Sequence, residues 1–425
     1  MTDTIFALSS GRPPAAISVI RISGPRAKAA GTRIAGTLPA ARTAVVRELR
    51  HPVTADLLDQ ALVLSFDSPA SSTGEDVVEF QCHGGRAVVD ALLAALVLVE
   101  GLREARPGEF TRRAFDNGRI DLTEAEGLAD LIEAETESQR KAALLLAEGG
   151  LRSQIADWQR RLLEFSARAE RAIDYDEEDE RLDASLLADC AALASELSSW
   201  LEQPRIEPLK EGVSVVIAGP PNAGKSSLIN AIVGEERAIV TATAGTTRDY
   251  IDVPVSLGGL PIKLTDTAGL RETRDEVESI GVERARKLAM AADVLVWLGE
   301  EASAPDHPRL LRVKPKADLV AGEADGSGAL PVSSVTGEGV TALIEQIEAE
   351  ARSILPGDDA IALNRRQARH ISEAARALSD AGSARDLVLI AEDLRLARTA
   401  FDRLTGRAGI EDVLDALFGR FCLGK

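Results

Sequence analysis

Residues 213–234 read VSVVIAGPPNAGKSSLINAIVG: an apolar run, a glycine and proline turn, then a segment with helical periodicity. Gly219, four intervening residues and Gly224-Lys225-Ser226 satisfy the phosphate-loop pattern in the strand-to-helix setting that this pattern requires. Glycines let consecutive backbone N–H groups face phosphate oxygens, and the helix that follows adds its positive end. Phosphate contacts therefore fall on Asn222, Ala223, Gly224, Lys225, Ser226 and Ser227, with Lys225 reaching the β and γ oxygens and the Ser226 hydroxyl holding Mg2+. From Val213 to about Glu350 the text continues as strand, glycine loop, helix and strand, which predicts an α/β domain with a mainly parallel sheet.

Further motifs lie downstream in a matching order. DTAG at 266–269 closes an alternating strand; Asp266 sits where a Mg2+-bound water needs an outer ligand, and Thr267, Ala268 and Gly269 bring backbone N–H groups toward a γ-phosphate. AGTTRD at 244–249 supplies Thr246 and Thr247, and a switch threonine completes a Mg2+ shell. Alone, GTTRD also fits a threonine-rich turn; its position between the two other motifs favours the switch. Guanine is selected in GTPases by N-K-x-D, whose Asp accepts two hydrogen bonds from the base. VKPKADL at 313–319 keeps Lys316 and Asp318 but has Pro315 where Asn belongs, and proline has neither a side-chain amide nor an N–H. Asp318 favours GTP over ATP, SSVTGEG from Ser333 and Ser334 resembles the next base-contacting loop, and base affinity is expected to be lower than in a relative with Asn. Leu270 stands where many small GTPases place a water-orienting Gln, so another polar residue must position water. Charge developing on the β–γ bridge also needs a cation, and no arginine in the sequence is marked for it.

The 425 residues suggest two to four domains. Residues 4–106 alternate short β-like runs with turns and add one helical stretch, RAVVDALLAALVLVEGL, as in an α+β domain. No proline occurs between Pro107 and Pro204 or after Pro356, and both stretches carry Ala, Leu, Glu and Arg at helical spacing, the first opening on the capping-box-like DLTE at 121–124. Two matched helical stretches around an α/β domain predict one helical unit with the α/β domain inserted, since domain termini often lie close together. The expected boundaries are 1–117, 118–208, 209–356 and 357–425. The run DYDEEDE at 174–180 reads as a solvated acidic loop between helices.

With 45% apolar but only 3% aromatic residues, the cores must be built from Ala, Leu, Ile and Val. Forty-nine basic against 68 acidic residues give a net charge of −19, which excludes a protein that coats nucleic acid by charge alone. Cys82, Cys190 and Cys422 are odd in number and widely spaced, so neither a disulfide framework nor a zinc site is indicated, and a reducing, cytoplasmic setting is expected. Cys82 reads as a packing residue and His83 as a turn or structural histidine. The start lacks a basic n-region, and the longest apolar run, 91–99, is far short of a membrane span.

Together, the P-loop with Asn222, AGTTRD, DTAGLRETRDEVESIGVERA and FCLGK resemble the tRNA modification GTPase family MnmE, also called TrmE. VIRISGP, TGEDVVEFQCHGG and PGEFTRRAFDNGRIDLTEAEGLADLI extend the resemblance over essentially the whole chain. It implies an N-terminal folate-binding α+β domain over 1–117, a split helical domain, an inserted G domain and a homodimer built through the N-terminal domains. It further implies a flavin-dependent partner, MnmG (GidA), and addition of a (carboxymethyl)aminomethyl group to C5 of the wobble uridine, U34, of tRNA. The carbon would come from a tetrahydrofolate derivative, 5,10-methylene- or 5-formyl-tetrahydrofolate. In the family K+ replaces an arginine finger when two G domains meet, which fills the gap noted above. The resemblance places nucleotide contacts along Thr241, Ala242, Thr243, Ala244, Gly245, Thr246 and Thr247. It puts K+ on Asn222, Thr241, Thr243 and Thr246, Mg2+ on Ser226 and Thr247, and a water-orienting role on Glu278. Folate contacts carry over to Arg21, Glu79, Arg119 and Lys425, with Arg119 standing where Lys is common, and a nucleophile or one-carbon carrier to Cys422.

Two other classes compete on the residues alone. A non-modifying, RNA-associated or ribosome-assembly GTPase shares the G-domain motifs but needs neither the folate-type N-terminal text nor Cys422. A P-loop ATPase or kinase is disfavoured by KADL and GTTRD.

Overall fold

The computed structural model describes residues 3–174, 184–235, 238–240, 252–267, 278–319, 328–408, 411–421 and 424. They form two compact units, Met1–Ala129 with Asp402–Lys425, and Asp130–Phe401. The first is α+β, and the second joins helices to a mainly parallel α/β sheet, so the expected fold class is observed.

The first unit is built on a six-stranded sheet of β1 (Thr4–Leu8), β2 (Ile17–Ser23), β3 (Val45–Arg50), β4 (Leu57–Phe66), β5 (Val77–His83) and β6 (Leu102–Glu104). Its order is β3-β4-β5-β2-β1-β6, and only the β1–β6 pair is parallel. Alternation along the strands sends Phe6, Ile20, Ile22, Val63, Val78 and Phe80 into one core under α1 (Ala27–Ala35) and α2 (Arg86–Val97). The residues between them, Ala7, Arg21 and Glu79, are left on the opposite face.

Helix α1 is absent from the sequence reading, which expected a single helix in this block. Its text, AKAAGTRIA, carries a glycine at mid-helix, a local penalty of about 1 kcal/mol. Packing overrides it: Ala27, Ala30, Gly31 and Ile34 are buried, and a β-carbon on Gly31 would fall 2.9 Å from Val78 Cγ1. The glycine that weakens the helix is what lets it lie close on the sheet.

The unit is completed by α3 (Glu109–Asp116), α4 (Leu122–Glu133) and a helix over Glu411–Phe418. DLTE is a true capping box, the Asp121 carboxylate accepting from the Glu124 N–H at 3.0 Å and the Glu124 carboxylate from the Asp121 N–H at 2.7 Å. Leu122, Ala125 and Ala129 form a core with Leu414, Phe418 and Phe421. Arg112 ties α3 to the late helix through Asp415 at 2.6 Å and Glu411 at 2.8 Å.

In the second unit α5 (Glu137–Ala147), α6 (Gly150–Asp174), α7 (Ala184–Leu201) and α8 (Glu207–Glu211) precede the α/β sheet. The sheet comprises β7 (Val213–Ala218), β8 (Ala238–Val240), β9 (Asp252–Leu257), β10 (Leu260–Asp266), β11 (Val294–Leu298), β12 (Leu310–Pro315) and β13 (Leu330–Val332). Helices α9 (Lys225–Gly234), α10 (Glu278–Ala291) and α11 (Val340–Ile354) intervene, and α12 (Arg365–Ser383) and α13 (Leu387–Thr405) follow. The order is β13-β12-β11-β7-β10-β9-β8, with only β8 and β9 antiparallel to their neighbours. Central β7 is apolar at nearly every position because both of its faces are covered.

The helices close around Trp158, fully buried, whose indole N–H donates to Glu196 at 2.8 Å and whose ring meets Trp200 edge-on at 5.3 Å. The N-terminus of α5 grips the β9–β10 turn, Ser138 donating to the Gly259 carbonyl from its N–H at 3.2 Å and from its hydroxyl at 2.9 Å. Among the described residues no helix is long and apolar enough to cross a membrane.

Candidate nucleotide and folate sites

The loop between β7 and α9 takes its shape from three residues in the left-handed region: Gly219 at φ 155°, Asn222 at 62° and Gly224 at 96°. Gly219 is also sterically required, since a β-carbon there would collide with the Leu298 carbonyl at the end of β11. Gly224 caps α9 without a side chain, so the first N–H groups of that helix stay directed at the loop. Buried Lys225 folds over it, its ammonium donating to the carbonyls of Pro220 at 3.0 Å and Gly219 at 3.2 Å.

Parallel pairing aligns Asp266 at the end of β10 with Ile217, just before the loop. The Ser226 hydroxyl donates to the Asp266 carboxylate at 2.5 Å. Thr267 is turned inward, donating to the Ile217 carbonyl at 3.0 Å. Two hard oxygen donors at a helix N-terminus suit a small hard cation such as Mg2+, and the site lies where open α/β sheets place ligands, at the carboxyl ends of central strands.

A cavity of about 200 Å³ opens beside the loop. It is lined by Ala223, Gly224 and Ser227 of the loop and first turn, by Lys316 and Asp318 after β12, and by Ser334 after β13. Three separate stretches of sequence thus converge on one pocket. Pro315 lines it too, followed by Lys316 in the left-handed region at φ 60° and a short 3-10 turn over Ala317–Leu319. Ser333, fully buried, donates to the Asp318 carboxylate at 2.5 Å, and its oxygen accepts from the N–H groups of Thr336 at 3.2 Å and Val335 at 3.3 Å. One hydroxyl therefore orients the Asp318 carboxylate and holds the following loop. The sequence reading missed the apolar walls, Leu298, Leu319 and Val335, of which the last two are 75% and 84% exposed. Exposed leucine and valine beside a conforming pocket are the signal that marks them, and it exists only in three dimensions.

In the first unit Arg21 and Glu79 are directly opposed across β2 and β5, and their side chains form an ion pair at 2.8 Å. The guanidinium lies 5.7 Å from the centre of the Phe110 ring, a cation–π contact on the same face as Ala7. Arg119 is on an exposed turn, its N–H bonded to the Ala114 carbonyl at 2.8 Å, packed where a β-carbon on Gly74 would come within 3.2 Å of its Cγ. Behind this face Arg113, fully buried, gathers Glu75 at 3.1 Å, Asp3 at 3.0 Å and Glu109 at 3.1 Å. Cys82 is buried, and burial, then the charge of Asp59, pushes its thiol up to about 11. His83, the last residue of β5, is exposed and bonded to Asp59 of β4 at 2.7 Å, a contact between strands.

Comparison with known proteins shows what this arrangement belongs to. Residues 4–119 match the model described as the GTP-binding protein TrmE N-terminus, and residues 122–422 match that of the MnmE helical domain. Curated relatives named tRNA modification GTPase MnmE include one from Novosphingobium aromaticivorans, 53% identical with all of both chains covered. Those from Erythrobacter litoralis and Zymomonas mobilis subsp. mobilis are 50% and 47% identical, covering 100% and 99% of this chain and all of theirs. The chain belongs to the MnmE family.

Of the residues assigned from the motifs and from the MnmE resemblance, the structure joins Ser226 to Asp266, Asp318 to Ser333, and Arg21 to Glu79. Asn222 is at the crest of the phosphate loop, and Glu278 begins α10. Thr241, Ala242, Thr243, Ala244, Gly245, Thr246, Thr247, Ala268, Gly269, Cys422 and Lys425 lie outside the described residues, as does most of the acidic run at 174–180.

Proposed function

We propose that this chain is a K+-activated GTP hydrolase that works with a flavin-dependent partner of the MnmG type. Its cycle would drive addition of a (carboxymethyl)aminomethyl group to C5 of U34 in tRNA, with the carbon drawn from a tetrahydrofolate derivative. The observation that carries the reading is the bond between Ser226 and Asp266 beside the pocket holding Asp318, within a chain of the MnmE family. In this reading the loop and the α9 N-terminus bind the phosphates, Lys225 reaches the β and γ oxygens, and Asp318 accepts hydrogen bonds from guanine. Ser226, with Thr247, would hold Mg2+, which neutralises charge between the phosphates when bound. Asn222, Thr241, Thr243 and Thr246 would hold K+, and Glu278 would orient the attacking water.

Arg21 and Glu79, joined at 2.8 Å with an aromatic ring under the guanidinium, supply the donors, acceptors and flat surface that a pterin needs, and support assigning the folate site to them with Arg119 and Lys425. The same reading takes 1–117 as the folate domain, 118–208 and 357–425 as the two parts of the helical domain, and 209–356 as an inserted G domain. It places the protein in the cytoplasm as a homodimer, where its tRNA substrate is. Cys422 acts there as nucleophile or one-carbon carrier, so Cys422→Ser keeps GTP hydrolysis and loses U34 modification.

The test has two arms. Hydrolysis is measured in K+ against Na+ at equal ionic strength, and equal rates would remove the cation-finger mechanism. Wobble-uridine analysis of tRNA from a deletion strain tests the biological role, and unaltered U34 would overturn it.

A further inference from the structure

Pro315 ends β12, where it pairs in parallel with Val332 of β13, and it lines the cavity beside the phosphate loop. The sheet order β13-β12-β11-β7 lays out one wall of that cavity. Going outward from the phosphate loop after β7, the strand ends contribute Leu298 of β11, Val313 and Pro315 of β12, and Val332 of β13. Leu298, Val313 and Val332 are buried, and Pro315 is half-buried. None of these four side chains can donate a hydrogen bond, and Pro315 has no N–H either. Polar groups stand at the two ends of the wall. Ser227 is in the first turn of α9, while Asp318, held by Ser333, stands with Ser334 at the far end. Lys316 also lines the cavity, but it leaves Pro315 in the left-handed region and is exposed.

The shape of guanine limits how it can sit here. Its N1–H and N2 amino groups are donors and meet the Asp318 carboxylate, while its sugar leaves from N9 back toward the phosphate loop. The edge that runs from O6 to C8 and carries the acceptor N7 then faces the apolar wall. We propose that this site recognises guanine without using N7, and that Pro315 is the residue that sets this specificity. The inference rests on the reading of Asp318 as the acceptor for guanine. An acceptor pressed against proline and valine gives up water and gains no partner, so replacing N7 by C–H removes a cost and breaks no contact. An Asn at position 315 brings an amide donor to the same wall and reverses the sign.

The experiment measures binding of GDP, 7-deaza-GDP and IDP to the full chain, each in competition with a fluorescent GDP analogue at fixed Mg2+. The parent should bind 7-deaza-GDP as tightly as GDP, within about twofold, or more tightly. In Pro315→Asn the order should invert, 7-deaza-GDP becoming weaker than GDP by about three- to tenfold, the value of one hydrogen bond. Pro315→Ala supplies a backbone N–H but no amide side chain and should keep the parent's order. In the parent, 7-deaza-GDP weaker by more than about twofold would overturn the inference, since it would reveal a donor on N7. This comparison needs no substitution and decides the matter even if Pro315→Asn fails to fold. An unchanged order in Pro315→Asn, or an inverted one in Pro315→Ala, would overturn the assignment to the side chain at 315. IDP lacks the N2 amino group and reports on Asp318 separately. If IDP binds as tightly as GDP, the guanine reading itself fails; if IDP is weaker by about tenfold, that reading stands and the 7-deaza comparison alone decides N7.

Discussion

Ser333→Ala removes one oxygen from behind the wall of the pocket that Asp318 lines. Its hydroxyl is fully buried and donates to the Asp318 carboxylate at 2.5 Å. A hydrogen bond to a charged group contributes about 1.5–3 kcal/mol, but Asp318 is exposed and water can take over part of the lost contact. A discounted value is about 1 kcal/mol. The two N–H groups of Val335 and Thr336, at 3.3 and 3.2 Å, also lose their acceptor and loosen the loop that carries Ser334, adding about 0.5–1 kcal/mol. The sum of about 1.5–2 kcal/mol corresponds to GDP affinity weaker by about 10- to 30-fold. Titration with a fluorescent GDP analogue at fixed Mg2+ reads it directly. In the Asp318→Ala background the same change should cost much less, because the two residues act as a pair. A shift of less than twofold in the parent would show that Asp318 holds its position without Ser333.

Pro315→Asn restores an amide at the start of the base loop and should tighten GDP binding in the same titration; no gain would separate Pro315 from base affinity. Arg113→Met takes the fully buried cation, at 3.1 Å, away from the partly buried Glu75 carboxylate, which keeps the hydrogen bond from Ser23, and should destabilise the first unit by about 2–3 kcal/mol in chemical denaturation. Burial is the largest single influence on the Asp3 and Glu109 carboxyls and would raise them, but hydrogen bonds and charge from Arg103, together with Arg113 and backbone N–H groups, outweigh it and hold both below their ordinary values of 3.8 and 4.5. The stability they add is therefore complete above those ordinary values and is lost as pH falls through the lower folded ones. Arg103→Met should move the acid-unfolding midpoint to higher pH, and an unchanged midpoint would show that the pairing is not linked to folding.

The phosphate loop, DTAG and KADL were legible because each is a contiguous stretch whose spacing is set by local backbone geometry. Motif order also carried the expectation of an α/β sheet, since alternating strand and helix text admits few topologies. Helix α1 was not legible: its glycine argues against a helix, and only the flat surface around Val78 makes that glycine useful. Phe110 was equally silent, because nothing within FTRRAF says that its ring will lie under Arg21.

The sequence by itself determined which motifs the chain carries, namely the phosphate-loop pattern at 219–226, an Asp at 318 without the Asn that usually precedes it, and the text of the MnmE family. Tertiary structure alone decided which of those residues meet. Ser333 reaches Asp318, and Arg21 reaches Glu79 and Phe110, through contacts between segments distant in the chain. Local spacing is written in the covalent order of residues, whereas these pairings depend on strand register and on how closely two backbones can approach.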